Sequence, residues 1–160
     1  MPDHRDSQQA PTPDLPTYPF VTFSVPVVAG VVIHFLWNFE LMPMPVAVST
    51  GLPVFVAGTA LGLWSVQTMF RHGEHPEPSR PTTQLIKDGP FRFSRNPSYV
   101  GLIVTATGLG LLLASVPVLA SVSIGFAILA LWVVPAEEKY LASLFGDGYR
   151  SYCARVRRWV

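Results

Sequence analysis

Charged residues are missing from three long stretches of this 160-residue chain. No Asp, Glu, Lys or Arg occurs in residues 15–39, 41–70 or 99–136. Charged side chains make up 13% of the chain, about half of the roughly 25% that is usual in soluble domains. Cysteine is nearly absent as well, and the single Cys153 excludes an internal disulfide. The low charge argues against a soluble globular domain.

The uncharged stretches are long enough to cross a membrane. A helix needs about 20 mainly apolar residues to span roughly 30 Å of hydrocarbon. The first two stretches each supply one helix, and the third, with Pro117 near its middle, supplies two short ones. We therefore predict an all-α integral membrane protein with four transmembrane helices and a C-terminal amphipathic helical segment. The helices are expected near residues 20–39, 46–70, 99–115 and 118–135.

The basic residues predict the orientation. The Lys and Arg residues lie in the N-terminal tail, in the loop 71–98 and after residue 136. Four spans put these segments on one side, which the positive-inside rule assigns to the cytoplasm of an inner or plasma membrane. The tail 1–19 is polar and proline-rich and lacks the apolar run of a signal peptide, so we expect it to be disordered. Residues 20–160 then form one domain.

Small residues at helical spacing indicate close helix packing. Gly58 and Gly62 have the small-xxx-small spacing that lets two helices approach, which predicts packing within the chain and leaves a homodimer as the alternative. Gly101, Gly108 and Gly110 lie on the third predicted helix. Packing is the default for them too, although Gly108 and Gly110 also leave the backbone open to a flat ligand.

Two polar groups flank the third and fourth predicted helices. One precedes and opens the third helix, and its members are Arg92, Arg95, Asn96 and Tyr99. The other is Glu137-Glu138, which follows the fourth. Because these helices form a hairpin, we expect the two groups to be neighbours. Carboxylates beside arginines suit a zwitterionic ligand with ammonium and carboxylate groups. The loop histidines lack metal-ligand spacing, so no metal ion is expected. No nucleic acid is expected as a partner either.

At these two groups the chain resembles a known family. The resemblance rests on GPFRFSRNPSYVG (89–101) with PTTQLIKDGP before it, on the Gly108-Leu109-Gly110 step, and on EEKYLASLFGDGYRSYCARVRRW (137–159). These segments are similar to the isoprenylcysteine carboxyl methyltransferase and phospholipid methyltransferase family of integral membrane enzymes. The resemblance covers residues 80–159, about half of the chain. It implies S-adenosylmethionine as methyl donor, a pocket covered by residues 136–160, and a lipophilic acceptor in the membrane.

The resemblance also implies roles for single residues. Separately from the resemblance, the chemistry of the transfer suggests Arg92 and Arg95 as catalytic residues, since an arginine could orient an acceptor carboxylate. The expected cofactor-binding residues are Arg95, Asn96, Pro97, Tyr99, Gly101, Gly108, Gly110, Glu137, Glu138, Tyr149 and Tyr152. Many members have histidine where this chain has Asn96, and asparagine cannot titrate near neutral pH. This position is therefore not expected to be a general base.

Three functions remain open at this point. Methyl transfer to an isoprenylcysteine-like carboxylate is the leading hypothesis, with a thiol or a phospholipid amine as other acceptors. An NADPH-dependent membrane reductase of the steroid-reductase type is the second, but its phosphate-rich cofactor favours a more basic pocket than Glu137-Glu138 provides. A lipid-binding scaffold without enzymatic activity is the third, and it leaves the two matched motifs unexplained.

Overall fold

The computed structural model describes residues 18–37, 40–76 and 82–160, and their regular structure is helical apart from one isolated β-bridge. This confirms the all-α prediction. The helices are, in chain order, α1 (Pro19–Trp37), α2 (Met44–Arg71), α3 (Pro97–Leu112), α4 (Val116–Ile128) and α5 (Val134–Cys153). A 3-10 turn, Gly89–Arg92, precedes α3, and a π-helical stretch, Leu129–Val133, joins α4 to α5.

Three helices are long and apolar enough to cross a membrane: α1, α2 and the continuous helix Val116–Cys153. In this last helix the membrane-spanning part ends at Ala136, because charged residues begin at Glu137. Helix α3 has 16 residues and therefore spans about 24 Å at 1.5 Å per residue, so the predicted third span is a short one. Residues 1–17 of the expected disordered tail, and Asn38 and Phe39 of the first predicted span, lie outside the described residues.

Prolines begin most of these helices. Pro97 is the first residue of α3, and Pro45, Pro117 and Pro135 are the second residues of α2, α4 and α5. At the starts of α2, α3 and α4 a proline costs little, because the first N–H groups of a helix have no intrahelical acceptor. Pro135 differs, because it lies inside the continuous helix Val116–Cys153, and it explains the π stretch. Its ring clashes with the carbonyl four residues earlier, and the helix widens at that point.

The helices pack side by side in the order α2, α3, α4, α1. Helices α2 and α3 make the closest contact because glycines line it. A Cβ at Gly58 would overlap the backbone of Thr105, and one at Gly101 would lie 2.5 Å from the nitrogen of Gly62. The prediction of packing within the chain is confirmed. Gly58 thus packs on α3, whereas nothing lies within 4 Å of a Cβ at Gly62, and the homodimer stays a prediction.

The core lies between α1, α3 and α4. Its buried residues are Phe23, Tyr99, Ala106, Val122, Leu129, Val133 and Val134. Glycines again set the spacing: a Cβ at Gly30 would lie 2.6 Å from the hydroxyl oxygen of Ser121, and one at Gly125 would lie 2.7 Å from the ring of Phe23. The amphipathic α5 continues from this core, and Gly146, with φ 49°, kinks it, as the Gly-Asp-Gly sequence predicts.

The loops that connect successive helices lie at two opposite ends of the bundle. The amide of Leu41 donates to the carbonyl of Ala114 at 2.7 Å, and Glu40 forms a β-bridge with Ser115. These contacts bring the α1–α2 and α3–α4 connections together at one end. The long α2–α3 loop and the C-terminal segment therefore meet at the other end, as the four-span prediction requires.

We predict that Gly58→Ala and Gly62→Ala have different effects on stability. At Gly58 the new methyl group meets the α3 backbone, whereas at Gly62 nothing lies within 4 Å of it. Overpacking of this kind costs about 1–3 kcal/mol, so Gly58→Ala should unfold at a lower temperature than the native protein. Gly62→Ala is the matched control and should unfold like the native protein. Thermal unfolding in detergent checks this, and equal melting of the two variants would show that α2 and α3 can separate without cost.

Candidate active site

A cavity of about 190 Å³ lies at the end of the bundle where the α2–α3 loop and the C-terminal segment meet. Its wall combines the ends of membrane helices with polar loop residues. Phe20 of α1, Met69 of α2 and Tyr99 of α3 contribute to the apolar part. The charged part comes from the residues that precede α3 and from the start of α5. This position places a mixed polar and apolar site at the edge of the membrane-spanning region.

Glu137 is the first charged residue after the membrane-spanning part of its helix, and it forms a partly buried pair with Tyr99. The hydroxyl of Tyr99 donates to Oε1 of Glu137 at 2.5 Å. Burial raises the pKa of the Glu137 carboxyl to about 7; the hydrogen bond from Tyr99 lowers it in part, and the neighbouring charge of Glu138 raises it further. Among the described residues, the hydrogen bond of Glu137 is made by Oε1 and none is made by its second oxygen. This carboxyl can therefore change its charge near neutral pH when a cation enters the cavity.

Glu138 pairs with two arginines. Arg158 donates to both of its carboxylate oxygens, from Nε at 3.0 Å and from Nη2 at 2.6 Å. Nη2 of Arg95 lies 3.2 Å from Oε1 of the same carboxylate. Such a two-point arginine contact is among the stronger charge-assisted hydrogen bonds. The charge of Glu138 is thus used within the protein, and Glu137 is the carboxylate with a free oxygen.

The C-terminal segment after α5 is held against the residues that lead into α3. The amide of Arg95 donates to the carbonyl of Arg157 at 2.9 Å, and Nδ2 of Asn96 donates to the carbonyl of Arg158 at 2.8 Å. Trp159 continues this contact, and its ring lies 5.2 Å from that of Phe126 on α4. The segment therefore forms an outer layer over the charged part of the cavity wall; that residues 136–160 cover a bound cofactor stays a prediction.

The end of α5 is anchored in the same way. The hydroxyl of Tyr152 donates to the carbonyl of Phe91 at 2.7 Å, and Nη1 of Arg95 donates to the sulfur of Cys153. Tyr149 and Tyr152 are both buried, with ring centroids 6.3 Å apart. Arg95 thus connects α5 to the α3 entry. Its Nε atom is buried and lacks a hydrogen-bond partner among the described residues.

A buried glutamate in the α2–α3 loop organises another part of the wall. Glu74 accepts hydrogen bonds from the amide and the hydroxyl of Thr83, at 2.8 Å and 2.5 Å, and from the amide of Gln84 at 3.0 Å. The amide of Thr82 donates to the hydroxyl of Tyr140 on α5 at 3.3 Å. Glu74 therefore holds residues 83 and 84 beside the cavity, and Tyr140 holds Thr82 next to them.

The structure brings most of the predicted site residues together. Those that line the cavity are Arg95, Asn96, Pro97, Tyr99, Glu137, Glu138, Tyr149 and Tyr152. They come from segments about 40 residues apart in the chain, and the α3–α4 hairpin makes them neighbours. Their proposed contacts with a cofactor remain a hypothesis, since lining a cavity is a matter of position alone.

Other predicted site residues lie away from the cavity. Arg92 is exposed and its guanidinium lies over the ring of Phe93, 5.5 Å from its centroid; the catalytic role expected for it stays a prediction. The glycines serve helix packing: a Cβ at Gly108 would overlap the backbone of Phe55, and one at Gly110 would lie 2.7 Å from Leu119. Gly101 faces α2 as described above. That the cofactor also lies against these glycines stays a prediction.

Sequence reasoning missed most of the loop contribution. The additional lining residues include Phe20, Met69, Glu74, His75, Thr82, Gln84, Leu85, Ile86, Phe91, Tyr140 and Leu141. Part of this set falls in PTTQLIKDGP, the segment that leads into the resemblance, and could have been found there. Glu74 gave no signal in the sequence, because its role depends on a loop closure between residues ten positions apart.

Comparison with known proteins identifies the family. Residues 46–148, more than half of the chain, match the phospholipid methyltransferase family. The chain belongs to this family. The resemblance derived from the two motifs is thereby confirmed, and the matched region contains Arg95, Tyr99, Glu137 and Glu138.

Two relatives cover a shorter region. The chain is 38% identical over 77 residues to a protein-S-isoprenylcysteine O-methyltransferase of Schizosaccharomyces pombe, which covers 45% of this chain and 30% of that protein. It is 32% identical over 77 residues to the cobalt-zinc-cadmium resistance protein CzcN of Cupriavidus metallidurans, covering 48% of this chain and 35% of that protein. The chain therefore matches about a third of the length of these relatives. No solved structure matches it.

We predict that Glu138→Gln loosens the C-terminal segment. Hydrogen bonds to a charged group contribute about 1.5–3 kcal/mol each when their partner is lost, and Glu138 accepts from two arginines. Amide exchange of residues 154–160 should accelerate about tenfold or more, which corresponds to about 1.4 kcal/mol. Hydrogen–deuterium exchange with mass spectrometry measures this. Asp147→Asn is the control, since its pair with Arg150 is almost fully exposed, and the same exchange rate in both variants would contradict the anchoring role.

Proposed function

We propose that this protein transfers a methyl group from S-adenosylmethionine to a lipophilic acceptor held in the membrane. The observation that carries the proposal is the cavity that joins Glu137 and Arg95 to apolar ends of membrane helices. A water-soluble donor and a lipid acceptor can meet only at a site that is open both to water and to the lipid bilayer. Membership of the phospholipid methyltransferase family supports the same reaction.

The residues present fit S-adenosylmethionine. This molecule carries two cationic groups, a carboxylate, hydroxyls and an aromatic base, and each finds a chemically matched group in the wall. The free oxygen of Glu137 suits a cation, and the unpartnered Nε of Arg95 suits a carboxylate or hydroxyl. Tyr149 and Tyr152 line the cavity with aromatic faces that suit a planar base. These four residues would hold the cofactor, and Glu138 and Arg158 would keep Arg95 in place.

The protein contributes mainly positioning to this chemistry. When bound, S-adenosylmethionine supplies a methyl group already activated for in-line displacement. Alignment of the reacting atoms then contributes most of the acceleration. Arg95 is suited to alignment because Glu138 and Cys153 hold its two terminal nitrogens. Glu137 is suited to hold or accept a proton near neutral pH, since its pKa is about 7.

The acceptor chemistry decides whether that proton matters. The name of one relative indicates an isoprenylcysteine carboxylate, and the family description indicates a phospholipid. A carboxylate acceptor has no proton to lose. A phospholipid amine must lose one, and Glu137 beside Tyr99 is the group in the cavity suited to take it. We further propose that the cavity faces the cytoplasm, because the basic residues gather at its end of the bundle.

We predict that the purified protein binds S-adenosylmethionine and S-adenosylhomocysteine and not NADPH. Titration calorimetry in detergent measures all three. Glu137→Gln should weaken binding at least tenfold, because it removes the carboxylate with a free oxygen while keeping its shape. Glu137→Gln should still insert and unfold like the native protein.

Lys139→Gln is the matched control, since it removes a charge from the neighbouring exposed position on α5 and should leave the affinity unchanged. Absence of binding by either S-adenosyl compound in folded protein would refute the proposal, and tight binding of NADPH would favour the reductase. Transfer of a labelled methyl group to an extract of membrane lipids then tests the reaction itself.

We predict that this affinity depends on pH through Glu137. Its pKa of about 7 means that the carboxyl is mostly neutral below pH 7 and must lose its proton before it can pair with a cation. Binding of S-adenosylmethionine should therefore weaken as the pH falls below about 7, by up to about tenfold per pH unit. Calorimetry between about pH 5.5 and 7.5 measures the slope. Glu137→Gln should give a flat profile, and a sloping one in that variant would assign the effect to another group.

A further inference from the structure

The outer side of α2 carries a groove that the candidate active site does not use. The residues that α2 buries against its neighbours include Gly58 and Ser65. Ala60 and Gln67 each lie two positions further on, about 200° around the helix, so they face away from α3. The residues that line the groove are Ala60, Leu63, Trp64, Val66, Gln67, Phe70 and Arg71. Among the described residues, the groove and the cavity of the candidate active site share no lining residue.

The groove extends over the depth of one membrane leaflet. Ala60, Trp64, Gln67 and Arg71 follow each other at spacings of four, three and four residues, which places them in one line along the helix. From Ala60 to Arg71 the rise is about 16 Å at 1.5 Å per residue. This is close to half of the roughly 30 Å of hydrocarbon in a bilayer. Arg71 ends α2 on the side of the α2–α3 loop, so the groove lies in the leaflet on that side.

The chemistry of the groove changes along this line. Its inner part is apolar, and the small side chain of Ala60 leaves a depression beside Leu63. Trp64 is 43% exposed, and tryptophan is enriched where hydrocarbon meets the lipid headgroups. Gln67 is an exposed amide on a membrane-spanning helix, and an amide has no hydrogen-bond partner in hydrocarbon. Gln67 therefore lies at the depth where the polar part of a lipid begins.

Arg71 supplies a positive charge at the polar end of the groove. Among the described residues it forms no ion pair. The carboxylates next to it in the loop have other partners, since Asp88 pairs with His72 at 3.4 Å and Glu74 accepts hydrogen bonds within its own loop. A guanidinium binds a phosphate well, often through two parallel hydrogen bonds. The charge of Arg71 is thus available for an anion at the level of the headgroups.

We propose that this groove binds one anionic phospholipid, with its phosphate on Arg71, its glycerol ester region beside Gln67 and an acyl chain along Trp64. A phospholipid fits because the groove is one leaflet deep and changes from cationic to apolar in the order that the lipid requires. An anionic headgroup is favoured over a zwitterionic one, because it carries no ammonium group for Arg71 to repel. This inference does not depend on the methyl transfer proposed above.

A second copy of the chain suits the groove less well. Two copies inserted in the same orientation would place both Arg71 side chains at the same depth. None of the described lining residues carries a carboxylate that could pair with them. Repulsion between the two guanidinium groups would be poorly screened at the membrane edge. The charge of the groove therefore favours a lipid over an interface between copies.

Thermal unfolding in detergent with added lipid tests the site. Dioleoylphosphatidylglycerol should raise the melting temperature in a saturable way, because a ligand that binds only the folded state stabilises it. Dioleoylphosphatidylcholine should raise it less than half as much, and inorganic phosphate, which has no acyl chain, should not raise it. Equal effects of the two lipids, or an effect of phosphate as large as that of the lipid, would overturn the proposal.

Native mass spectrometry tests the residues. The protein is released from nanodiscs that contain equal amounts of the two lipids, and we expect one phosphatidylglycerol to stay bound to the native protein. Arg71→Gln should lower the retained fraction about fivefold or more, and Gln67→Leu should lower it too. Both side chains are exposed, so these variants should melt like the native protein without lipid. Arg155→Gln is the matched control, since it removes an exposed arginine outside the groove and should retain the lipid.

The remaining outcomes contradict the proposal. Retention by Arg71→Gln that equals that of the native protein would show that the groove does not hold the phosphate. An equal loss in Arg155→Gln would assign the effect to the overall positive charge of the loop side. Dimers in the native spectrum that disappear in Gln67→Leu would assign the groove to a second copy.

Discussion

The site depends on the pairing of Glu138 with Arg95 and Arg158. These three residues come from α5, from the entry to α3 and from the C-terminal segment, and their ion pairs join the three. Without Glu138, two guanidinium groups would lie side by side at the membrane edge, where their repulsion is poorly screened. The carboxylate therefore allows Arg95 to be held at the cavity and the C-terminal segment to cover it. The hydrogen bonds of Asn96 and Tyr152 further stabilise the contact between these segments, which the pairing of Glu138 with the two arginines makes possible.

Two adjacent glutamates consequently have different roles. Consecutive residues on a helix point about 100° apart, so Glu138 can meet the arginines while Glu137 faces Tyr99. Burial without a cationic partner raises the pKa of Glu137 to about 7. A carboxyl in this state costs little to bury while neutral, and it gains a partner when a cation arrives. We therefore propose Glu137 rather than Glu138 as the residue that meets a cationic ligand, a distinction that spacing on a helix could not make.

The sequence predicted the helices well because lipid imposes a strong constraint: long uncharged stretches have few other stable structures. It also predicted that Arg95 and Glu137-Glu138 would be neighbours, since a hairpin of two helices brings the start of the first beside the end of the second. It did not predict the packing contacts of Gly108 and Gly110, because the sequence does not distinguish a glycine that contacts a neighbouring helix from one that contacts a ligand. Glu74 and Arg158 were missed for a related reason, namely that their partners are set by loop closure and by the path of the chain after α5.

Asn96 shows how a departure from a family pattern can leave a site intact. A histidine at this position could act as an acid or base, and asparagine cannot. In this structure, however, the side chain donates one hydrogen bond to the carbonyl of Arg158, and an imidazole N–H could donate the same bond. The position therefore holds the C-terminal segment, which needs a donor and not a titrating group. In the proposed reaction, proton transfer is then left to Glu137, whose pKa of about 7 suits that task.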